Sequence, residues 1–350
     1  MRGLKPMPLA RWMRRLCVAG VLLCFVVVVL GAYVRLTAAG LGCPDWPGCY
    51  GHATPLGAEH APEAQAAYAG RPLVAGKAWR EMIHRYAAGT LALLITAIAV
   101  LAVSARRLRL ASVPLSIALF VTVLVQAVLG MLTVTWQLKP LVVTLHLLFG
   151  MTTLGLLWWL TLSLPVTSWG AASLHSAGRA IRGGSSAHTS AWRLAVVGLG
   201  ALAVQIALGG WTSSNYAAVA CPDFPACQHA WWPHMQFRGA FVLWRGLNID
   251  YEGGVLTSAA RVAIHVTHRI GALVAACTLA LAALFVLRHR GLAATQARAW
   301  VVLAALVLQL TIGIAMVLRG FPLWLATAHT AGAALLLLAT LALLRSLSAR

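Results

Sequence analysis

Acidic residues are scarce in this sequence of 350 residues, which has 7 Asp and Glu against 27 Lys and Arg. Charged residues make up only 10% of the chain, while hydrophobic residues reach 61%. Soluble globular domains average about 25% charged and roughly 45–50% apolar residues. The shortage of charge therefore excludes a soluble globular domain and indicates an integral membrane protein.

Three classes of function are disfavoured by what is missing. A di-iron carboxylate centre needs several Asp or Glu ligands on facing helices, and Glu81 is the one acidic residue within an apolar segment. The chain has no Gly-rich dinucleotide fingerprint between a strand and a helix, so any electrons must come from an external donor. Basic residues are scattered among short loops without interleaved aromatics, which argues against nucleic-acid binding.

Apolar runs of the length needed to cross a membrane, about 20 residues, define the fold class. None alternates with period two, so helices rather than a barrel are expected. We predict an all-α integral membrane protein with eight transmembrane helices, near 15–36, 82–104, 112–135, 141–163, 192–213, 262–287, 299–318 and 323–344.

The second half of the chain repeats the first. Cys-Pro-Asp-Trp-Pro-Gly-Cys at 43–49 returns as Cys-Pro-Asp-Phe-Pro-Ala-Cys at 221–227. His84-Arg85 returns as His268-Arg269, and the pair Gln126 and His146 returns as Gln309 and His329. The repeat predicts two tandem pseudo-symmetric four-helix bundles, residues 1–163 and 192–350, joined by a cytoplasmic linker over 164–191.

Basic residues cluster on one side of the eight-helix arrangement, which the positive-inside rule makes cytoplasmic. Both termini then lie in the cytoplasm, and two long loops, about 38–78 and 215–260, lie outside. The first apolar run is longer than the core of a signal peptide, so we expect it to be retained.

Four cysteines occur in the two outer loops, where oxidising conditions allow disulfides to persist. Cys43 and Cys49 enclose one short loop, and Cys221 and Cys227 enclose the other. A structural disulfide in each loop and a thiol-disulfide role both fit this pattern. Zinc is disfavoured because the nearby histidines lack the usual ligand spacing.

Four histidines fall at matched positions inside the apolar runs: His84, His146, His268 and His329. Ionisable residues within a membrane are costly, so they are functional candidates by default. In each copy one histidine lies near the outer end of the second helix and the other near the outer end of the fourth. Each pair could therefore face across a bundle core.

Two opposed imidazoles suit haem, which needs one or two axial ligands and an apolar slot. Structural zinc would need four ligands. Arg85 and Arg269, each next to a histidine, are natural partners for haem propionates. Pairing of either arginine with an acidic neighbour is the alternative.

The two copies differ beside the first histidine. Glu81 stands three residues before His84, on the same helix face, whereas the equivalent residue of the second copy is His265. A buried carboxylate can transfer protons near neutral pH, and an ion pair with Arg85 is the alternative. The asymmetry suggests chemistry in the first copy and electron handling in the second.

The segment Glu81-Met82-Ile83-His84-Arg85, the matched histidines, the paired outer cysteines and the four-plus-four duplication resemble the haem A synthase family, in its cysteine-bearing bacterial branch. The resemblance covers roughly residues 15–345. It implies oxidation of a methyl group of haem O to a formyl group, giving haem A for a terminal cytochrome oxidase. It also implies a bacterial cytoplasmic (inner) membrane, with the cysteine loops in the periplasm or outside the cell.

Residue roles follow from the same resemblance. It implies that His268 and His329 ligate a haem b cofactor in the C-terminal unit, with Arg269 beside it. His84, His146 and Arg85 would flank or ligate the substrate haem in the N-terminal unit, and Glu81 would be the acid/base or intermediate-stabilising group. The role of His265 is left open, and alignment of the repeats favours His268 as the ligand.

Expected partners are haem O, haem O synthase, an external electron donor and membrane lipid, with a homo-oligomer as an option and no nucleic acid. The competing interpretation is a membrane b-type cytochrome that relays electrons without modifying haem. Both interpretations use the same histidines, but they differ in the need for Glu81.

Overall fold

A computed structural model describes residues 6–68, 70–108, 111–164 and 186–348. Its described residues include eight helices that are long and apolar enough to cross a membrane, as predicted. In chain order they are α1 (Pro6–Leu36), α2 (Ala75–Ser104), α3 (Val113–Thr135), α4 (Pro140–Ser163), α5 (Ser186–Ser214), α6 (Ser258–Arg288), α7 (Ala293–Leu318) and α8 (Leu323–Ser348). Most of the linker predicted over 164–191 lies outside the described residues.

Several helices begin earlier than their apolar runs, and at α2 and α6 the added turns lie at the outer end. Helix α2 starts at Ala75 rather than near 82, and α6 starts at Ser258 rather than near 262. The added turns are polar, so hydropathy overlooks them, although the backbone continues its hydrogen bonding into the outer loop. The Thr257 side chain caps α6 by accepting from the Ala260 amide at 3.3 Å. As a consequence, Glu81 and His84 lie within regular helix rather than at its end.

Each half of the chain forms a closed ring of four helices. Neighbours in sequence pack together from α1 to α4, and α4 returns to α1; α5 to α8 pack in the same cyclic order. The halves meet through α4 against α5, α1 against α8, and α4 against α8. One continuous core runs through both halves and includes Leu154, Leu157 and Leu336.

Contacts between α4 and α8 are reciprocal. Trp158 Nε1 donates to the Leu338 carbonyl at 2.9 Å, and Gly155 faces the Leu341 side chain, 3.1 Å from an ideal Cβ. Gly155 and Leu338 are equivalent in the repeat, and so are Trp158 and Leu341. Trp158 thus meets the repeat counterpart of Gly155, and Gly155 meets the repeat counterpart of Trp158. Such reciprocal contacts are the pattern that a two-fold relation between the units produces.

The second outer loop reaches over the N-terminal half. Asp250 accepts a hydrogen bond from Arg71 at 2.8 Å, and Glu252 lies 3.6 Å from Lys77. The Tyr251 amide donates to the carbonyl of Gln137, two residues beyond the end of α3, at 3.1 Å. These contacts place the loop of one unit above the histidine-bearing helices of the other.

Candidate functional site

Each of the four matched histidines packs against a glycine of the neighbouring helix. An ideal Cβ would lie 3.0 Å from His84 Cε1 at Gly31, 3.2 Å from His146 Cε1 at Gly130, 3.3 Å from His268 Cε1 at Gly209, and 3.0 Å from His329 Cε1 at Gly313. Any side chain would therefore crowd the imidazole at these four positions. The histidine-bearing helices are thus held in two glycine-lined pairs per unit, α1 with α2 and α3 with α4, then α5 with α6 and α7 with α8.

The two histidines of a unit lie within electrostatic range of each other. His146 lies near His84 in the N-terminal unit, and His268 lies near His329 in the C-terminal unit. In the described part of the chain, no three His, Cys, Asp or Glu side chains are grouped to hold a metal ion. The structure therefore offers imidazole pairs rather than a multidentate cage.

Glutamine side chains fix the backbone of three of these histidines. Gln126 Nε2 donates to the His146 carbonyl at 2.9 Å, Gln309 Nε2 to the His329 carbonyl at 3.1 Å, and Gln205 Nε2 to the His268 carbonyl at 3.0 Å. Each amide crosses from the neighbouring helix of the pair. Sliding one helix of the pair along the other would break a buried hydrogen bond. The glutamines therefore fix the positions of these histidines along the helix axes.

Ring contacts differ between the units. Gln205 Nε2 lies 3.1 Å from His268 Nδ1, and Gln309 Nε2 lies 3.3 Å from His329 Nδ1. In the N-terminal unit, His84 Nδ1 and His146 Nδ1 are buried and have no hydrogen-bond partner in the part of the chain that the structure describes. Polar atoms left unpaired in a membrane interior need a partner from outside the chain.

These residues fit haem. Paired imidazoles supply axial ligands, the glycines allow the rings to sit close to the neighbouring helices, and the surrounding helices are apolar. The unpaired imidazole nitrogens are polar atoms that a ligand can satisfy. Metal clusters that need several carboxylates or thiolates do not fit the same residues.

Glu81 is 4% exposed and is held at both oxygens. Its Oε2 accepts from the Cys43 amide at 2.8 Å, and its Oε1 pairs with Arg85 Nη2 at 2.5 Å. Arg85 Nη1 also donates to the carbonyls of Asp45 at 2.9 Å and Gly48 at 2.5 Å. Arg85 therefore forms the ion pair with an acidic neighbour, which was the alternative to binding a propionate. Its guanidinium also holds the first cysteine loop over α2.

Arg269 holds the second cysteine loop in the same way. Its Nη1 donates to the Ala226 carbonyl and its Nη2 to the Asp223 carbonyl, both at 2.8 Å. His265 stands where the first unit has Glu81, and its Nδ1 lies 3.2 Å from the Ala217 carbonyl. In the N-terminal unit the helix and loop are therefore joined by the Glu81 carboxylate, which accepts from a backbone amide. In the C-terminal unit they are joined by the His265 imidazole, which lies beside a backbone carbonyl.

The outer cysteines are bonded in pairs, Cys43 with Cys49 and Cys221 with Cys227. Each enclosed loop is closed by its aspartate. Asp45 accepts from the Tyr50 and Gly51 amides at 2.6 and 2.8 Å, and Asp223 from the Gln228 and His229 amides at 2.7 and 2.8 Å. Hydrogen bonds from the His229 and Gln228 amides lower the pKa of Asp223 below its ordinary value.

Sequence reasoning found the histidines, Glu81 and the cysteines, and the structure brings Glu81, Arg85 and the first cysteine loop together beside His84. It missed the four glycines, although Gly31 and Gly209 stand 178 residues apart and Gly130 and Gly313 stand 183 apart, the same spacings as the repeat. Their role could not be predicted, because the sequence does not show which side chain of another helix packs against a glycine.

Fold and site together define a helical membrane protein whose two four-helix units each present a histidine pair suited to haem. The family model for COX15-CtaA, described as a cytochrome oxidase assembly protein, matches residues 14–341. A heme A synthase of Shewanella oneidensis is 40% identical over 332 residues, which cover 93% of this chain and 93% of that protein. The chain belongs to the COX15-CtaA family, and the resemblance seen in the sequence is confirmed.

Proposed function

We propose that this chain is a haem A synthase, an oxidoreductase that converts one methyl group of haem O to the formyl group of haem A. The observation that carries the proposal is the asymmetry of a duplicated haem site: both units keep the histidine pair, and only one keeps a buried carboxylate, Glu81. The similarity to the heme A synthase of S. oneidensis supports the same activity.

The two units bind different haems. The C-terminal unit, residues 192–350, binds haem b through His268 and His329, and the N-terminal unit, residues 1–163, binds haem O between His84 and His146. Haem b, when bound, supplies one-electron transfer. The Gln205 and Gln309 amides beside the C-terminal rings suit a cofactor that stays in place.

The reaction takes place on one methyl carbon of the substrate. Two successive hydroxylations, each of which consumes one O2, two electrons from the external donor and two protons and releases one water, give a geminal diol, and loss of one further water leaves the formyl group. Glu81 holds or moves a proton at Oε1 or Oε2, and its position is set by Arg85 and the Cys43 amide. Because the first cysteine loop lies over this carboxylate, it also limits access of bulk water to Glu81.

The protein is a multi-pass membrane protein with eight spanning helices. We place it in the bacterial cytoplasmic membrane, with both termini in the cytoplasm and the cysteine loops in the periplasm or outside the cell. An external electron donor and a haem O synthase are its expected partners. Lipid surrounds the helices, and a homo-oligomer is compatible with the exposed apolar faces.

Pigment extraction tests the proposal against a b-type cytochrome that only relays electrons. The full chain is expressed in a host that makes haem O and lacks its own haem A synthase, and extracted haems are separated and weighed by mass spectrometry. We expect haem A with the native chain, and haem b but no haem A with Glu81→Gln. Glu63→Gln, which changes an exposed acid in the same loop region, is the matched control and should still give haem A. Absence of formyl-bearing haem from the native chain would favour the cytochrome.

A further inference from the structure

Arg35 links the two units at their outer ends. It stands in the last turn of α1, and its Nη2 donates to the Ser213 carbonyl of α5 at 2.7 Å. Its guanidinium carbon lies 4.0 Å from the centroid of the Tyr216 ring. Arg35 and Ser213 are equivalent positions of the repeat, 178 residues apart. A residue that meets its own counterpart lies at the two-fold relation between the units.

The Arg35 cation is not neutralised by a carboxylate within the described part of the chain. Glu252, whose charge reaches Arg35, forms ion pairs with Arg71 and Lys77, both at 3.6 Å. The Arg35 Nε atom and the Tyr216 hydroxyl oxygen are buried, and neither has a hydrogen-bond partner among the described residues. A partly buried cation with an unpaired N–H beside an unpaired hydroxyl is a place where an anionic acceptor would be stabilised.

The location of Arg35 relative to the histidines indicates which anion. Ser213 follows Gly209 by four residues on α5, a rise of about 6 Å, and Gly209 packs against the His268 ring. The carbonyl that Arg35 contacts therefore lies about one helical turn outward of the His268 ring. Arg35 itself follows Gly31 by the same four residues, and Gly31 packs against the His84 ring, so the guanidinium lies at the outer end of both histidine sites. Haem carries two carboxylates at one edge, and within a membrane these groups must reach water or a cation.

The arginines that the sequence suggested for this task have other partners. Arg85 and Arg269 donate to loop carbonyls through both Nη1 and Nη2, and Arg85 Nη2 also pairs with Glu81. Arg35 makes one hydrogen bond, to Ser213, and keeps its Nε unpaired. It is thus better able than either to accept a new carboxylate.

We propose that the Arg35 guanidinium and the Tyr216 hydroxyl bind a carboxylate of the haem held by His268 and His329, at the junction of the two units. This inference rests on the proposed haem site of the C-terminal unit. Its consequence is that a residue of the substrate unit contributes to cofactor binding in the other unit, so the two sites share one cation.

Haem with esterified carboxylates provides the test. The full chain is produced without haem, purified in detergent, and titrated with haem b or with its dimethyl ester, with the low-spin absorption band as readout. The native chain should bind haem at least tenfold more tightly than the diester. Arg35→Gln should lose about tenfold in affinity for haem and nothing for the diester, because the diester has no charge for Arg35 to meet. Arg35→Lys should retain part of the discrimination, and Tyr216→Phe should show a smaller loss confined to haem.

Arg319→Gln, which removes an exposed arginine at the outer end of α7, is the matched control and should bind both porphyrins like the native chain. Equal losses for haem and diester in Arg35→Gln would mean that Arg35 only braces α1 against α5, and the inference would fail. Unchanged affinity for both would also overturn it.

A redox titration of haem-loaded protein gives a second readout that does not depend on reversible binding. A cation beside the haem favours the reduced form, because reduction adds negative charge. Arg35→Gln should therefore shift the reduction equilibrium about tenfold toward the oxidised form, a fall of about 59 mV for one electron. An unchanged potential in a fully loaded variant would contradict the inference. A native chain that takes up no haem would instead refute the proposed haem site, so the two failures are distinguishable.

Discussion

Replacing one glycine by alanine should displace a haem ligand without touching the histidine. At Gly313 an added Cβ would lie 3.0 Å from His329 Cε1, whereas ordinary contacts begin at 3.4 Å, so the ring or its helix must move by about 0.4 Å. Overpacking of a well-packed interior costs about 1–3 kcal/mol. If that cost falls on the haem-bound state, haem affinity should drop roughly 5- to 150-fold, at 1.4 kcal/mol per factor of ten.

A matched series within the same unit separates crowding from helix propensity. At Gly209 the added Cβ would be 3.3 Å from His268 Cε1, and at Gly200, on the same helix α5, it would meet nothing within 4 Å. All three changes raise intrinsic helix propensity by about 1 kcal/mol. We therefore expect the loss of affinity to follow the order Gly313→Ala, then Gly209→Ala, with Gly200→Ala like the native chain or slightly more stable.

The assay is the ratio of low-spin haem to protein after purification, together with the thermal unfolding midpoint of the unloaded protein. Gly313→Ala should lower the haem ratio while its unloaded protein stays folded. If Gly313→Ala and Gly200→Ala keep the same haem ratio and the same spectrum, the glycines do not position the ligands, and the arrangement described for the histidine pairs is wrong.

Other changes test the remaining contacts. His268→Ala should abolish the low-spin haem band, whereas His265→Ala should keep it, because His265 lies beside a loop carbonyl; a lost band in both variants would reopen the ligand assignment. Replacing Cys43 and Cys49 by serine should cost about 2 kcal/mol of stability by loop-closure entropy, measured by thermal unfolding, and should also reduce haem A formation, because the Cys43 amide holds Glu81. The equivalent change at the second cysteine loop should cost similar stability but leave more activity, and equal activity losses would contradict the link to Glu81.

The sequence was sufficient for the spanning helices because hydropathy and length act locally on each segment. It placed the beginnings of several helices too late, and at α2 and α6 polar turns continue the helix outward beyond the apolar run. It also predicted correctly that His84 and Glu81 are neighbours. A spacing of three residues along one helix places both side chains on the same face, so no tertiary information is needed.

Contacts between helices could not be predicted in the same way. Arg85 and Arg269 were predicted to bind propionates, but the cysteine loops fold back onto both arginines. Those contacts are made by backbone carbonyls, which have no signature in the sequence. Arg35 gave no sign of its position, since its repeat counterpart is a serine that contributes only a backbone carbonyl. Polar partners of this kind become visible only when the arrangement of the two units is known.

The differences between the two units agree with the different fates proposed for their ligands, a haem b cofactor in the C-terminal unit and haem O in the N-terminal unit. In the C-terminal unit, glutamine amides contact both imidazole rings, and His265 joins helix to loop. In the N-terminal unit, Val27 stands where the other has Gln205, and both Nδ1 atoms lack a partner. A cofactor must be retained through every turnover, so extra hydrogen bonds that fix its ligands are useful. A substrate that leaves as product needs ligands that release it, and a site with fewer fixed hydrogen bonds lowers the barrier to that exchange.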